Sequence, residues 1–256
     1  FNTITLTGFT TNADGKDFST LAPFDGLMAT KVKDAAKATE YRDAAKTALE
    51  AAGATFPVKT LVSYNPNDKT WEAECGLLEQ QLEGVLGTDF IDVIVEAGPS
   101  SNFLTQVRRS GKYSFMKCNW GADYQDPETW SDPFYQESVD DGYSYNFMYQ
   151  SVVDGGASAE VIKEYYALVK AARAIKTDIN ARYDAFAKAE AYLINNALVI
   201  PYGASPATYV ATKLNTFEGQ FASFGISTLR YKGQKLYDHF ITMEEFIANK
   251  NAAEAK

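Results

Sequence analysis

The sequence predicts an α/β fold with a mixed, mainly parallel sheet covered by helices. Segments rich in β-branched residues alternate along its first half with longer segments whose apolar residues recur at helical spacing. Such alternation is typical of parallel strands joined by helical crossovers. With 256 residues, 46% of them hydrophobic and 22% charged, the chain can bury a substantial core.

The predicted elements begin, after an irregular lead-in over 1–28, with an amphipathic helix over 30–52. Gly53 follows this helix in the position that a left-handed C-cap favours. A strand is predicted over 58–64 and a second helix over 70–86. The apolar residues that helical spacing places on one face of the first helix are Tyr41, Ala44, Ala45, Ala48, Leu49 and Ala52.

The alternation continues with a strand over 90–95, a short helix over 101–109 and a strand over 113–119. Two longer helices are predicted over 158–175 and 178–195, each after a residue suited to N-capping. On the second of them, the residues expected to be buried are Ile179, Tyr183, Phe186, Leu193 and Ile194.

The last part of the chain has a different composition, in which Gly, Ser and Thr are more frequent. An apolar strand is predicted over 197–202, followed by short strands around 208–210 and 214–217. A final helix over 243–250 is predicted to begin after the N-cap Thr242. Nowhere does the chain reach the roughly 18 apolar residues of a membrane span.

Composition argues against several classes of function. A net charge of −9 without clustered Lys and Arg is unfavourable for nucleic-acid binding. Cys75 and Cys118 belong to no C-x-x-C pair and are expected to be free, buried thiols. The lone histidine, His239, has no partner imidazole and is not expected to be catalytic.

A polar loop after the predicted strand over 113–119 is the clearest candidate for a functional site. Loops at the ends of buried strands are where α/β proteins usually contact ligands. The loop carries aromatic residues, a glycine and a carboxylate in the run Lys117-Cys118-Asn119-Trp120-Gly121-Ala122-Asp123-Tyr124-Gln125-Asp126-Pro127. The acidic segment that follows is long for a connection within a domain, and its aromatic residues are Trp130, Phe134, Tyr135, Tyr143, Tyr145, Phe147 and Tyr149.

The chain is not predicted to be an enzyme. It contains no G-x-S-x-G, H-E-x-x-H, P-loop or G-x-G-x-x-G pattern. Paired carboxylates could hydrolyse glycosides or bind calcium, but the D-x-D-x-D-G calcium pattern is absent, so a solvated acidic loop is the simpler interpretation. The carboxylates concerned are Asp123, Asp126, Glu128, Asp132, Glu137, Asp140 and Asp141.

The run from Trp120 to Pro127, Trp-Gly-Ala-Asp-Tyr-x-Asp-Pro, resembles the signature of bacterial extracellular solute-binding protein family 5, which contains the dipeptide and oligopeptide binders of ABC importers. Other stretches resemble the C-terminal half of that family and occur in the same order. They are 44–53, 79–87, Arg182-Tyr183, Ala189-Glu190 and Ile200-Pro201-Tyr202.

This resemblance implies a lobe of the periplasmic-binding-protein type, plus a C-terminal segment that belongs to the other lobe. Residues 1–205 would form the ligand-binding lobe, and residues 206–256 the hinge return and the segment of the other lobe, with the boundary near Ser205. A sequence that begins at Phe1 is interpreted as a fragment that lacks the N-terminal lobe and the export signal. The expected location is extracellular, as a cell-surface lipoprotein, or periplasmic.

The resemblance also implies ligand-binding residues. A protein that binds peptides of varied sequence has to use the groups that every peptide carries, namely the backbone and the charged ends. Asp123 matches the family position that pairs with the peptide amino terminus. Trp120, Gly121 and Tyr124 would line the cleft around it.

Arg108 and Lys117 match positions whose basic side chains receive the carboxylate of short ligands in some family members. Lysine at position 117 lacks the bidentate geometry that arginine offers there in one member, so ligand length stays open. Simpler interpretations also stay open. Asp123 could cap a turn, Trp120 could be a core residue, and the two basic residues could be ordinary surface charges.

The function that the resemblance implies is a solute-binding component of an ABC importer, which captures extracellular oligopeptides and delivers them to a membrane permease. Its partners would be a peptide ligand, the ABC permease subunits and the missing N-terminal lobe, with no cofactor, no metal and no nucleic acid. A nickel complex, haem or an oligosaccharide is an alternative ligand within the family. Alternatives of another class are a carboxylate hydrolase and a peptide-signal receptor that does not transport.

Overall fold

A computed structural model describes the chain over residues 3–27, 33–111, 113–136, 152, 155–156, 158–204, 209–218 and 231–255. Its contacts divide the chain into two compact units. The first unit contains Phe1–Met28, Trp120–Asp132 and Ala167–Lys256, and the second contains Ala29–Asn119 and Pro133–Tyr166. The predicted boundary at Ser205 lies outside the described residues.

The second unit contains the parallel sheet that the sequence predicts. Strand β1, Val58–Tyr64, pairs with strand β2, Ile91–Ala97, in parallel register from Val58 opposite Ile91 to Tyr64 opposite Ala97. The crossover between them is helix α2, Lys69–Leu86, as parallel pairing requires. The side chain of Asp68 caps α2 by accepting hydrogen bonds from Thr70 N and Trp71 N. The predicted α/β organisation is therefore confirmed.

The predicted third strand over 113–119 is wrong, because the structure has only an isolated parallel bridge between Val62 and Phe115. Ser114 prevents a regular ladder at this point. Its hydroxyl oxygen accepts the hydrogen bond of Leu61 N at 3.1 Å, while Leu61 O accepts from both Ser114 N and Phe115 N. The predicted helix over 101–109 is likewise reduced to one π-helical turn, Leu104–Arg108.

The first helix, α1, spans Ala35–Ala51 and begins at the N-cap Asp34, whose carboxylate accepts a hydrogen bond from Lys37 N. Gly53 ends it with φ +81°, as predicted. The apolar face of this helix is not buried, since none of the helix residues is buried and Tyr41 is 64% exposed. Its predicted face is mostly alanine, which buries little area and supports the helix mainly through intrinsic propensity. The core of the second unit instead consists of Val62, Trp71, Cys75, Val93, Phe103 and Val107.

Further α-helices in the described part of the chain are α3, Glu128–Ser131, α4, Ala159–Ala174, α5, Ile179–Asn195, and α6, Met243–Glu254. Asp178 caps α5 as predicted, and Thr242 caps α6 in a reciprocal capping box with Glu245.

On α5, Tyr183, Phe186 and Leu193 are buried as predicted, whereas Ile194 is only half-buried. The prediction for Ile179 is wrong. It occupies the first position of the helix, beside the capping turn, and is 49% exposed.

No strand forms over 197–202, contrary to the prediction. The chain leaves α5 through Ala197, whose φ is +54°, and Leu198 N still donates to Leu193 O, so this stretch completes the helix end. Ile200 and Tyr202 are exposed. Beyond it, Leu214 forms only an isolated antiparallel bridge to Leu236. Thr208 lies outside the described residues, as do Tyr143, Tyr145, Phe147, Tyr149, Glu137, Asp140 and Asp141.

The N-terminal segment, predicted to be an irregular lead-in, packs against helix α5. Phe18 and Phe24 are buried, and the Phe18 ring lies edge-on to Tyr183 of α5 at 5.9 Å. The carboxylate of Glu190, also on α5, accepts hydrogen bonds from Ile4 N at 2.6 Å, Thr5 N at 3.1 Å and the Thr5 hydroxyl at 2.7 Å. Thr5, Phe18 and Phe24 therefore belong to the buried interior of the first unit.

Cys75 and Cys118 are both free, as predicted, although only Cys75 is buried. Within the described parts of the chain, no helix combines the length and apolar composition needed to cross a lipid bilayer. His239 lies between two carboxylates, with Nδ1 2.8 Å from Asp238 and Nε2 3.0 Å from Glu245 at the start of α6.

Candidate functional site

The loop over residues 120–125 belongs to the first unit and packs on an aromatic cluster; it is called the binding loop below, after the role that the sequence predicts for it. Ala122 is buried against Phe9 and Trp130, whose rings meet edge to face at 5.4 Å. Trp120 is partly buried and packs against the same cluster. Trp120 is therefore a packing residue on one side and partly accessible on the other.

Two hydrogen bonds fix the course of the binding loop. Asp123 N donates to the hydroxyl of Thr129 at 3.1 Å, and Thr129 is fully buried on α3. Gln125 Nε2 donates to Phe9 O at 3.0 Å. The backbone of Asp123 is thus held from below, while its side chain is half-exposed.

Gly121, Tyr124 and Gln125 are the exposed members of the loop. A Cβ atom added to Gly121 would meet no heavy atom within 4 Å, so the space beside its backbone is open. The hydroxyl of Tyr124 lies 3.5 Å from Asp132 Oδ2. Burial, followed by the negative charges of Asp132 and Glu128, raises the pKa of the Tyr124 hydroxyl, which keeps it neutral.

Beneath the loop lies a network of two arginines and three carboxylates. Arg182 of α5 binds both Asp126 and Glu128, with shortest distances of 2.9 and 2.5 Å. Arg173 of α4 binds Glu128 at 3.2 Å and Asp132 at 2.5 Å. Burial raises the pKa of Asp132, and Arg173 opposes that rise. These three carboxylates are consequently paired and partly buried, which corrects the interpretation of this part of the segment as a solvated acidic loop.

The two predicted basic residues belong to the second unit and meet at one aromatic ring. The Arg108 guanidinium lies 5.4 Å from the Trp71 ring centroid, and Lys117 Nζ lies 5.8 Å from it. Lys117 also forms an ion pair with Glu74 at 2.5 Å, and Arg108 donates to Asn119 Oδ1 at 3.2 Å. The four predicted residues Trp120, Gly121, Asp123 and Tyr124 thus lie in the binding loop of the first unit. The two basic residues lie in the second unit, next to the ring of Trp71.

Sequence reasoning did not identify Arg173, Glu74 or Trp71 as partners of predicted site residues. Arg182 and Glu190 were noted only as parts of a family-like stretch. The pairs described for these side chains are separated in sequence by 37 to 186 residues, and no local pattern indicates such pairs. Among the described residues, no group of three His, Cys, Asp or Glu side chains could hold a metal ion.

Comparison with protein families gives a match over residues 6–142 to the family described as "Bacterial extracellular solute-binding proteins, family 5 Middle". The chain is 32% identical over 235 residues to the oligopeptide-binding protein AmiA of Streptococcus pneumoniae, covering 87% of this chain and 34% of AmiA. It is 31% identical over 214 residues to the oligopeptide-binding protein SarA of Streptococcus gordonii, covering 79% of this chain and 32% of SarA. The chain therefore spans about a third of the length of these curated relatives.

Among solved structures, the chain is similar to HbpA2 from Haemophilus parasuis, with a TM-score of 0.43 and 15% identity. That similarity covers 60% of this chain and 28% of HbpA2.

Proposed function

Because the chain belongs to family 5 of the bacterial extracellular solute-binding proteins, we propose that it is part of the solute-binding component of an ABC importer. In this proposal the whole protein captures extracellular oligopeptides and delivers them to a membrane permease. The oligopeptide-binding names of AmiA and SarA support a peptide as the ligand. The role is binding and delivery, without catalysis.

The observation that carries the proposal is the anchored backbone of Asp123. Its amide donates to the buried hydroxyl of Thr129, the residue itself is half-exposed, and the space beside the backbone of Gly121, two residues earlier, is open. A carboxylate on a fixed backbone can pair with the ammonium group of a peptide at little entropic cost. Trp120 and Tyr124 would offer aromatic surface to the peptide chain next to that pair.

We propose a secondary role for Arg108 and Lys117 as partners of a ligand carboxylate. Both side chains are half-exposed, as this role requires. A ligand carboxylate at Lys117 would compete with Glu74, which already pairs with the ammonium group. We therefore expect this pair to contribute less to affinity than Asp123.

The proposal extends to the organisation of the whole protein. Residues 1–205 would belong to the ligand-binding lobe and residues 206–256 to the hinge return and the other lobe. The partners would be the N-terminal lobe and the ABC permease subunits, and the protein would work outside the cell or in the periplasm, held there by a lipid anchor or free.

Native mass spectrometry of the full natural protein, purified from its own cells, tests the proposal. We expect co-purified ligands to appear as a ladder of peptide masses. The lengths in that ladder would also show whether short or long peptides are preferred. A single sugar or metal-chelate mass would contradict the peptide assignment.

A further inference from the structure

We infer that Arg182 is a positioning residue for the binding loop, so that it sets peptide affinity without touching the peptide. This inference rests on the proposed function, because it concerns the same loop. It goes further by assigning a role to a side chain of helix α5 that binds Asp126, the residue directly after the loop.

The guanidinium group of Arg182 uses all three of its nitrogen atoms. Nε and Nη2 donate to the two carboxylate oxygens of Asp126 at 3.1 and 2.9 Å, and Nη2 also donates to Glu128. Nη1 donates to the carbonyl oxygens of Ala172 at 3.4 Å and Ile175 at 3.1 Å. Because the side chain is only 13% exposed, water cannot replace these partners easily. Arg182 therefore ties the exit of the loop to the C-terminal end of α4.

Asp126 passes this restraint to the loop through short local bonds. Its carboxylate accepts from Glu128 N at 2.9 Å, its carbonyl accepts from Thr129 N at 3.2 Å, and its own amide donates to Tyr124 O at 3.0 Å. Thr129, placed in this way, presents the hydroxyl that holds Asp123 N. The connection from Arg182 to Asp123 thus runs through two residues and consists of hydrogen bonds only.

A second arginine supports the other side of the same loop. Arg173 binds Asp132, and the second carboxylate oxygen of Asp132 lies 3.5 Å from the Tyr124 hydroxyl. Lysine could not replace Arg182, because a single ammonium group cannot reach both oxygens of one carboxylate and two backbone carbonyls. In metal sites, residues that orient a ligand by hydrogen-bonding to it change metal affinity by factors of about 10 to 100.

The test is a double-mutant cycle in the full natural protein, with Arg182→Gln, Asp123→Asn and the combination. The probe is a random hexapeptide library with free amino termini and a fluorophore on its last residue, read by fluorescence anisotropy. Lys163→Gln is the control, because Lys163 is 53% exposed and pairs only locally with Glu160 among the contacts that the structure describes. Thermal unfolding establishes a temperature at which every variant is folded.

If Arg182 acts through the loop, Arg182→Gln raises the Kd by about tenfold and Lys163→Gln leaves it unchanged. In the Arg182→Gln background, Asp123→Asn then raises the Kd by less than about threefold, because a displaced carboxylate contributes less to affinity. Arg182→Lys is expected to lie between wild type and Arg182→Gln. If Arg182→Gln does not fold, Asp126→Asn replaces it in the cycle with the same expectations.

Equal factors for Asp123→Asn in both backgrounds would overturn the inference, because a purely structural role leaves the two effects independent. A Kd of Arg182→Gln within about twofold of the wild-type Kd would also overturn the inference. A wild-type protein that binds none of the peptides would overturn the proposed function and this inference together. Wild-type binding that depends on Asp123 but not on Arg182 would overturn the inference alone.

Discussion

The guanidinium group of Arg182 donates two hydrogen bonds to the carboxylate of Asp126, 56 residues earlier in the chain. The pair is well shielded from solvent, with side-chain exposures of 13% and 26%. Its bidentate geometry fixes both the distance and the orientation of the two groups. A side chain of helix α5 is thus hydrogen-bonded to the residue that directly follows the binding loop.

Asp126→Asn is expected to lower the free energy of unfolding by about 1 to 2 kcal/mol, because the amide keeps the shape of the carboxylate but loses charge-assisted bonds. Urea unfolding of the protein without ligand measures the change. Asp184→Asn is the matched control, since Asp184 is exposed on α5, and it should stay within about 0.5 kcal/mol of wild type. Equal stabilities of the two variants would show that the pair does not hold the loop.

Glu190→Ala is expected to destabilise the protein by about 3 kcal/mol, because it leaves two amides and a hydroxyl of residues 4 and 5 without their acceptor. Glu190→Gln should cost much less. Its carbonyl oxygen can accept from both amides, and its amide group can donate to the Thr5 oxygen. Denaturant unfolding of both variants checks this order, and an equal loss in both would mean that the charge, and not the hydrogen bonds, is required.

The same residue makes stability depend on pH. Complete burial raises the pKa of Glu190 above its ordinary value of 4.5, and the bonds from Thr5 and Ile4 oppose that rise. The folded state then binds the proton more tightly, so stability falls as pH rises from the unfolded pKa through the folded one. The difference in unfolding free energy, wild type minus Glu190→Gln, should become more negative from pH 4 upward. A flat difference, or one of opposite slope, would contradict the shift.

The sequence predicts local features of this fold well. The bounds of β1, the left-handed Gly53 and the caps Asp178 and Thr242 depend on neighbouring residues, so a sequence contains the information that places them. The strand over 113–119 could not be rejected in the same way. Its composition is that of a strand, and the interruption becomes visible only in tertiary contacts, in which Leu61 N donates to the Ser114 hydroxyl and a single bridge joins Val62 to Phe115.

In the candidate site, too, local features could be predicted from the sequence and long-range contacts could not. Trp120, Gly121, Asp123 and Tyr124 are neighbours in sequence, so their proximity was predictable, whereas their role in binding stays a prediction. The partners that fix them come from distant elements, and pairs such as Lys117 with Glu74 require the tertiary structure. The uncovered apolar face of α1 shows that helical periodicity by itself does not determine whether a face is buried.

Trp71→Ala is expected to cost about 3 to 5 kcal/mol of unfolding free energy, since the ring is buried and lies 5.2 Å from Phe103 in the core of the second unit. Trp71→Phe should cost less. Leu77→Ala on the same helix is the control, because Leu77 is exposed and its loss should stay within about 0.5 kcal/mol. Denaturant unfolding followed by circular dichroism compares the three, and a similar loss at both positions would contradict the assigned core.

Calorimetric titration of one peptide in two forms, with a free and with an acetylated amino terminus, tests the role of Asp123 most directly. The peptide is the one bound best from the library, and the proteins are wild type, Asp123→Asn and the control Asp184→Asn. We expect acetylation to weaken wild-type and control binding by about 10- to 100-fold, the factor of a charge-assisted hydrogen bond, and to change binding to Asp123→Asn little. If acetylation weakens all three proteins equally, Asp123 does not bind the peptide amino terminus and the proposed site is wrong.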